Sequence, residues 1–406
     1  MEKITYRVEE LGTVVGGGTP STQTKEYWDG DIPWISPADL TGYTNIYISK
    51  GAKNITEEGL KNSSTKLLPK GTLLLSSRAP IGYLAIAQND ICTNQGFKSI
   101  ICKENIVNNK YLYYFLKLNV EHLKAFASGA TFPELSGNRL KRIKLNIAKE
   151  VDVQKQIADV LSTYDALIEN NSKRIAILEQ MAENLYKEWF VRFRFPGYEN
   201  AKFKNGIPKD WKYVKFENIL SFDRGISYSS EEIDCEDGLN LINLKNIDAF
   251  GGFRRDGTKK YNGKFKESQV VKKGDLVIGV TDMTQDRRTV GAAALIPTIE
   301  GTSVISADLV KVVSDIPNIY LYCLCRYGFY SKYFSQFANG ANVLHLKPGA
   351  LLNKKVLLPT NELIDSFVEK ASTIIELIDE LNLANDNLFK QRDLLLPRLM
   401  SGKLEV

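Results

Sequence analysis

The sequence predicts an α+β protein built from one large unit written twice. Two similar globular α/β domains would be separated by two long antiparallel helices in a coiled-coil-like, pseudo-twofold pair. Three observations predict this. Four strings recur in order: KGTLLLS (70–76) as KGDLVIG (273–279), NKYLYYFLK (109–117) as NIYLYCLCR (318–326), FASGATFPEL (126–135) as FANGANVLHL (337–346), and STYDALIE (162–169) as STIIELID (372–379). Their offsets are 203, 209, 211 and 210, too nearly constant for chance and far longer than a solenoid repeat. Each copy begins with short β-like runs between turn signals and ends in a stretch with helical heptad periodicity. Charge alternates in step with these parts. Residues 1–150 carry +5, 151–200 carry −2, 201–360 carry +6 and 361–406 carry −4.

The domains follow in order: 1–150 a globular domain, 151–192 a long helix, 193–204 a linker, 205–360 a second globular domain, and 361–406 a second long helix with a tail. The globular parts show strand signals such as TLLLS, KSIIC, IKLNI, DLVIGV and LVKVV, punctuated by GGG, PKG, NGK and KKG. The helical parts show apolar residues at alternating steps of four and three. In the first they are Ile157, Leu161, Tyr164, Ile168, Ile175, Leu178, Ala182, Leu185 and Trp189, with Asn171 as the polar entry. In the second they are Phe367, Ala371, Ile374, Ile378, Leu381, Leu388, Leu395 and Leu399, with Asn385 and Arg392 as polar entries. Such a seam must be covered, and the simplest cover is the other copy; a polar seam residue can set register at some cost in stability. Each helix would run about 55 Å at about 1.5 Å per residue. FRFPGYENAKFKNGIPKDW (193–211) reads as a return to globular structure.

The composition excludes several classes of protein. There is no run of eighteen apolar residues and mean hydropathy is −0.22, so no membrane span is expected. MEKITYRVEEL lacks a secretion pattern. The five cysteines, Cys92, Cys102, Cys235, Cys323 and Cys325, include no CxxC, so neither a disulfide framework nor a zinc site is expected; a reducing, cytoplasmic setting fits. Only two histidines exist, His122 and His345. HExxH, a P-loop, GxSxG and a methyltransferase-like Asx-Pro-Pro-aromatic motif are absent, and GGGT (16–19) lacks the GK[ST] of a phosphate loop. An enzymatic reading therefore has no chemistry to stand on. Either basic block alone reads as solvated surface; it is the alternation of basic and acidic blocks that calls for an explanation.

GGGTPS (16–21), YWDGDIPWISPADL (27–40), SSRAPIGYLAI (76–86), NQGFKSI (94–100) and SGATFPELSGNRLKRI (128–143) together resemble the target-recognition domain of type I restriction-modification specificity subunits. The resemblance extends along the whole chain through the duplication. The second copy departs from the strings: FDRGISYSS (222–230), LNLINLKNI (239–247) and TDMTQDRRTVG (281–291) replace them. The resemblance implies a non-catalytic chain that binds double-stranded DNA, each domain reading one half of a bipartite target. It implies two methyltransferase (modification) subunits held on the helices, with restriction/translocase subunits joining the complex. No cofactor is expected on this chain itself; S-adenosylmethionine, ATP and Mg are expected in the partner subunits. A stand-alone, pseudo-dimeric DNA-binding regulator is the rival reading.

On this reading the expected DNA-contacting residues of the first domain are Gly18, Thr19, Ser21, Ser77, Arg78, Ser128, Thr131, Phe132, Arg139 and Lys141. A loop arginine such as Arg78 can pair with guanine or phosphate, or else form a structural ion pair. The glycines of 16–18 allow close backbone approach, or else form a plain tight turn. In the second domain the candidates are Arg224, Tyr228, Lys245, Arg287, Arg288, Asn339, Asn342 and His345. Tyr27, Trp28 and Trp34 could stack on DNA, though aromatics near such a turn are more often core.

Overall fold

The computed structural model describes residues 1–129, 133–233 and 236–405. The chain divides into two compact units, Met1–Asn171 with Ala384–Val406, and Ser172–Leu383, so each contains one globular domain and a part of each long helix.

In the first unit, strand Lys3–Arg7 pairs antiparallel with Lys144–Ala148 and so brings the domain's two ends together. The main sheet has the order Gly12–Gly16, Lys98–Cys102, Leu73–Ser77, Ile81–Ala87, Tyr47–Ile48, with only the last pair parallel. The central LLLSS strand is buried at every position, so it reads as a continuous apolar run rather than an alternating one. A three-stranded sheet, Lys53–Ile55, Trp28–Ile35 and Cys92–Thr93, stands beside it, with Trp28–Ile35 parallel to Cys92–Thr93. Helix Asn109–Leu118 starts where the Asn108 side chain caps the Tyr111 amide at 3.0 Å, and it buries Tyr111, Leu112, Tyr113, Tyr114 and Leu116.

The second unit repeats this order. Lys212–Lys215 pairs with Lys355–Leu358. One sheet runs Ser221–Arg224, Leu309–Val313, Leu276–Gly279, Ala293–Leu295; the other contains Leu239–Ile242 parallel to Ser303–Ile305. Helix Asn318–Tyr327 matches Asn109–Leu118 and buries Cys323 and Cys325 in the core; burial pushes the Cys325 thiol up to about 12 and raises Cys323 as well. Two sequences that diverge in their strings therefore build similar sheets, of five and three strands in the first unit and of four and four in the second, because the apolar strand positions persist.

The first long helix runs Val151–Tyr186 and continues into a π-helical turn, Lys187–Val191. The second runs Asn361–Ser401 with Pro397 inside it. Gln154 docks the start of the first helix: its side chain accepts from the Asn108 amide at 2.8 Å and donates to the Ala148 and Ile106 carbonyls at 2.8 and 3.1 Å. In the first unit Ile157, Ala158 and Leu161 share a core with Leu396, Leu399 and Met400, and Asn171 Nδ2 donates to Asn385 Oδ1 at 2.9 Å. Rising numbers on one helix meet falling numbers on the other, so the segments are antiparallel. The predicted seam is unevenly covered. Ile157, Leu161, Ile168, Ala182, Trp189, Phe367, Ala371, Leu381, Asn385, Arg392 and Leu399 are buried, while Tyr164, Asn171, Ile175, Leu178, Leu185, Ile374, Ile378, Leu388 and Leu395 are half-buried. Two helices alone shield only one face each, and full burial occurs mainly where a globular domain adds a further layer.

The 193–211 segment contributes to the second core. Phe193 and Phe195 set their rings 5.2 and 5.8 Å from Trp211, and Phe195 and Trp211 are buried. Among the described residues, no helix is long and apolar enough to cross a membrane.

Candidate nucleic-acid interface

The residues flanking the GAT string and those flanking its echo are bridged in the same way. Ser128 and Glu134 exchange backbone hydrogen bonds of 3.0 and 2.9 Å, and Asn339 and His345 do the same at 3.0 and 2.9 Å. Both bridges span six residues and stand 211 apart, matching the offset of the repeated string. Each bridge is sewn to the turn that leaves the central strand of its main sheet. In the first domain, the Leu135 amide donates to the Ser77 carbonyl at 2.9 Å. In the second, Thr281 pairs with His345 and Asp282 with Leu344. The Gln285 side chain adds a bond to the Ala341 carbonyl at 2.8 Å.

In the second domain this arrangement brings Arg287 and Arg288 together with Asn339, Asn342 and His345 on one composite surface. Arg288, Asn339, Asn342 and His345 are exposed, and Arg288 is 2.7 Å from Asp286. Arg287 is half-buried at a backbone φ of 53° and donates to the Ser335 carbonyl at 3.1 Å, so it braces the loop. Arg224 is exposed at the end of Ser221–Arg224, and Lys245 is exposed on the short turn Leu244–Asn246. Tyr228 packs half-buried against the small core of Ile226, Leu241, Tyr261 and Val304.

In the first domain Arg78 stands on the turn after Leu73–Ser77, 3.9 Å from Glu134, which also meets Lys98 at 3.6 Å. Two cations around one carboxylate leave this surface with net positive charge, and Arg78 keeps 39% of its side chain exposed. Ser128 and Arg139 are exposed and Lys141 is half-buried; Arg139 donates to the Phe126 carbonyl at 3.1 Å. Thr131 and Phe132 lie outside the described residues, as does Cys235.

Two sequence expectations need correction. Ser77 is fully buried and its hydroxyl donates to the Gly96 carbonyl at 3.0 Å, so it has nothing left to offer DNA. Gly18 is also buried; a methyl group there would overlap Ser64 and Thr65, and one on Gly17 would overlap the Thr93 and Asn94 carbonyls. These glycines serve close packing of the protein's own backbone rather than approach to a ligand. The neighbouring aromatics are props: Trp34 Nε1 donates to the Gly18 carbonyl at 2.9 Å and Trp28 Nε1 to the Ser21 carbonyl at 3.0 Å, with the rings edge-on at 5.2 Å. They hold Thr19, half-buried and bonded to Gln95, and exposed Ser21 at the surface.

Sequence reasoning missed Asp282, a buried carboxylate at the base of the 283–288 segment. Burial alone would raise its pKa, but hydrogen bonds from Thr289 and Thr284 hold it below the usual carboxylate range. The signal was present as an Asp with a Thr two residues on, the pattern of a side chain that closes its own turn.

The family model for the type I restriction modification DNA specificity domain matches residues 2–180, the copy that carries the quoted strings. The MjaIX specificity subunit of Methanocaldococcus jannaschii is 36% identical over 98% of this chain and 93% of its own. The MjaVIII specificity subunit of the same organism is 23% identical over 98% and 92%. The solved S subunit of M. genitalium matches 98% of this chain and 96% of its own with a TM-score of 0.63 at 16% identity, a likeness of fold. With a relative this similar along nearly its full length, the chain belongs to the family of type I restriction enzyme specificity subunits, the DNA-recognition, non-catalytic components of those enzymes.

Proposed function

We propose that each globular domain reads one half of a bipartite, non-palindromic DNA site. The two long helices, as a coiled-coil-like antiparallel pair with pseudo-twofold symmetry, would set the gap and dock two methyltransferase subunits. Restriction/translocase subunits join through that complex, in the cytoplasm. S-adenosylmethionine, ATP and Mg belong to those partners. One observation carries the reading: two like scaffolds carry the same six-residue bridge at matching places, yet the sequences it spans differ. Base-edge contacts from such segments give sequence choice, and the surrounding cations give affinity through phosphate. The stand-alone regulator is set aside, since the relatives aligned along the whole chain are named as subunits of type I enzymes.

The test is to co-express the chain with its modification subunit and map methylated adenines in the host DNA. A split motif with a fixed gap is expected. Replacing residues 205–360 with those of a relative should then change one half only; a change in both halves would refute modular reading.

Arg288→Ala offers a finer check. Arg288 is exposed and pairs with Asp286, so its loss should weaken binding without unfolding the chain. If it meets phosphate, the slope of log K against log salt should fall by about 0.9 and all sequences should weaken alike. If it meets a base, one position of one half-site should relax instead, by about 1–3 kcal/mol of discrimination.

A further inference from the structure

The turn that leaves the central strand differs between the domains. In the first it is short: the buried Ser76 hydroxyl takes the Tyr83 amide at 2.8 Å and donates to the Pro80 carbonyl at 2.7 Å, closing it with one small side chain. In the second the chain leaves at Gly279 and rejoins the sheet at Ala293. Its neck is closed by backbone, Gly291 N to Gly279 O at 2.7 Å and Gly279 N to Ala292 O at 2.9 Å. Its tip, Met283 to Arg288, stands outward, with Met283 69% exposed.

Asp282 sits between neck and tip with 3% exposure. One carboxylate oxygen accepts from the Thr284 amide at 2.8 Å and the Thr284 hydroxyl at 2.9 Å. The other accepts from the Thr289 amide at 2.7 Å and the Val290 amide at 3.4 Å. A single anion therefore ties both ends of the tip to one point, while its backbone pairs with Leu344 in the adjoining loop. An ionised carboxylate is acceptor-only, and its two oxygens can take four donors from two sides, more than the single oxygen of a serine hydroxyl accepts. A preorganised loop discriminates bases better than a loose one because its polar groups cannot shift to suit a wrong partner.

We propose that Asp282 is the positioning residue of the second domain's reading loop, and that residues 283–288 it clamps determine the sequence read by that domain. This rests on the proposed half-site reading and deepens it. Asp282 acts through the loop and touches no base.

The chain purified with its modification subunits would be titrated with duplex oligonucleotides carrying the mapped site, each altered at one base pair in one half or the other. Wild type should reject a mismatch by roughly tenfold to a hundredfold. Asp282→Ala should shrink that to about threefold or less in the half read by the second domain, with the other half unchanged. Thr284→Val, on the exposed side of the clamp, should cause a smaller loss in the same half. Asp275→Asn is the control for mere destabilisation, since Asp275 is buried, accepts the Lys272 amide at 2.9 Å and meets Lys311 at 3.1 Å, but holds no part of the loop. It should lower thermal stability and leave both halves equally well discriminated. Full discrimination in Asp282→Ala, or loss spread equally over both halves, would overturn the assignment. If Asp282→Ala does not fold, unaltered discrimination in Thr284→Val overturns it. A wild-type complex that reads no split site defeats the half-site proposal first, and is told apart by that.

Discussion

Arg392→Met is expected to destabilise the first unit by about 3–5 kcal/mol, the cost of stripping one partner from a buried ion pair. Arg392 and Asp165 each keep only 5% of their side chains exposed, and the Arg392 guanidinium meets the Asp165 carboxylate directly. The Tyr114 hydroxyl donates to the same carboxylate, and Arg392 also reaches Asp393 at 2.7 Å. Without Arg392, the Asp165 charge is left in a dry site with one neutral donor. The measurement is urea or thermal unfolding of the variant followed by circular dichroism. The double replacement Asp165→Leu with Arg392→Met should recover most of the loss, because two apolar residues no longer require solvation. A single variant within about 1 kcal/mol of wild type would mean that the pair behaves as a solvated surface bridge.

Phe367→Ala is expected to cost about 3–5 kcal/mol in the second unit. Phe367 is fully buried, and its ring centroid lies 4.9 Å from Phe190, 5.8 Å from Trp189, 6.0 Å from Tyr186 and 6.3 Å from Tyr320. Edge-to-face contacts among five rings cannot close over the cavity that alanine leaves. Phe367→Leu should cost less than half as much. Unfolding midpoints of the two variants decide this, and equal midpoints would show that the ring cluster relaxes freely around the gap.

These two sites show what was legible beforehand. Phe367 was readable as a seam residue from heptad spacing alone, and so was Arg392 as a polar interruption. Asp165, however, follows seam residue Tyr164, and nothing in local spacing marks it as the partner of a residue 227 positions away. The pairing exists because the antiparallel register of two helix segments places those side chains together. The bridged segments divide in the same manner. The string match located both bridges, and Arg288, Asn339, Asn342 and His345 are exposed. Ser77 and Gly18 were misread because a short polar or glycine-rich string looks alike whether it faces solvent or another strand.

Taken alone, the sequence determined the duplication, the two helical seams, the α+β alternation and the absence of familiar catalytic motifs, since each is a matter of periodicity or local composition. Only the tertiary structure decided which polar groups are consumed inside: Ser77 on Gly96, Arg392 on Asp165, Asp282 on both ends of its loop. A polar side chain's role depends on the partners that distant segments bring within about 3 Å, and hydrogen bonds of that range leave no periodic trace in the chain.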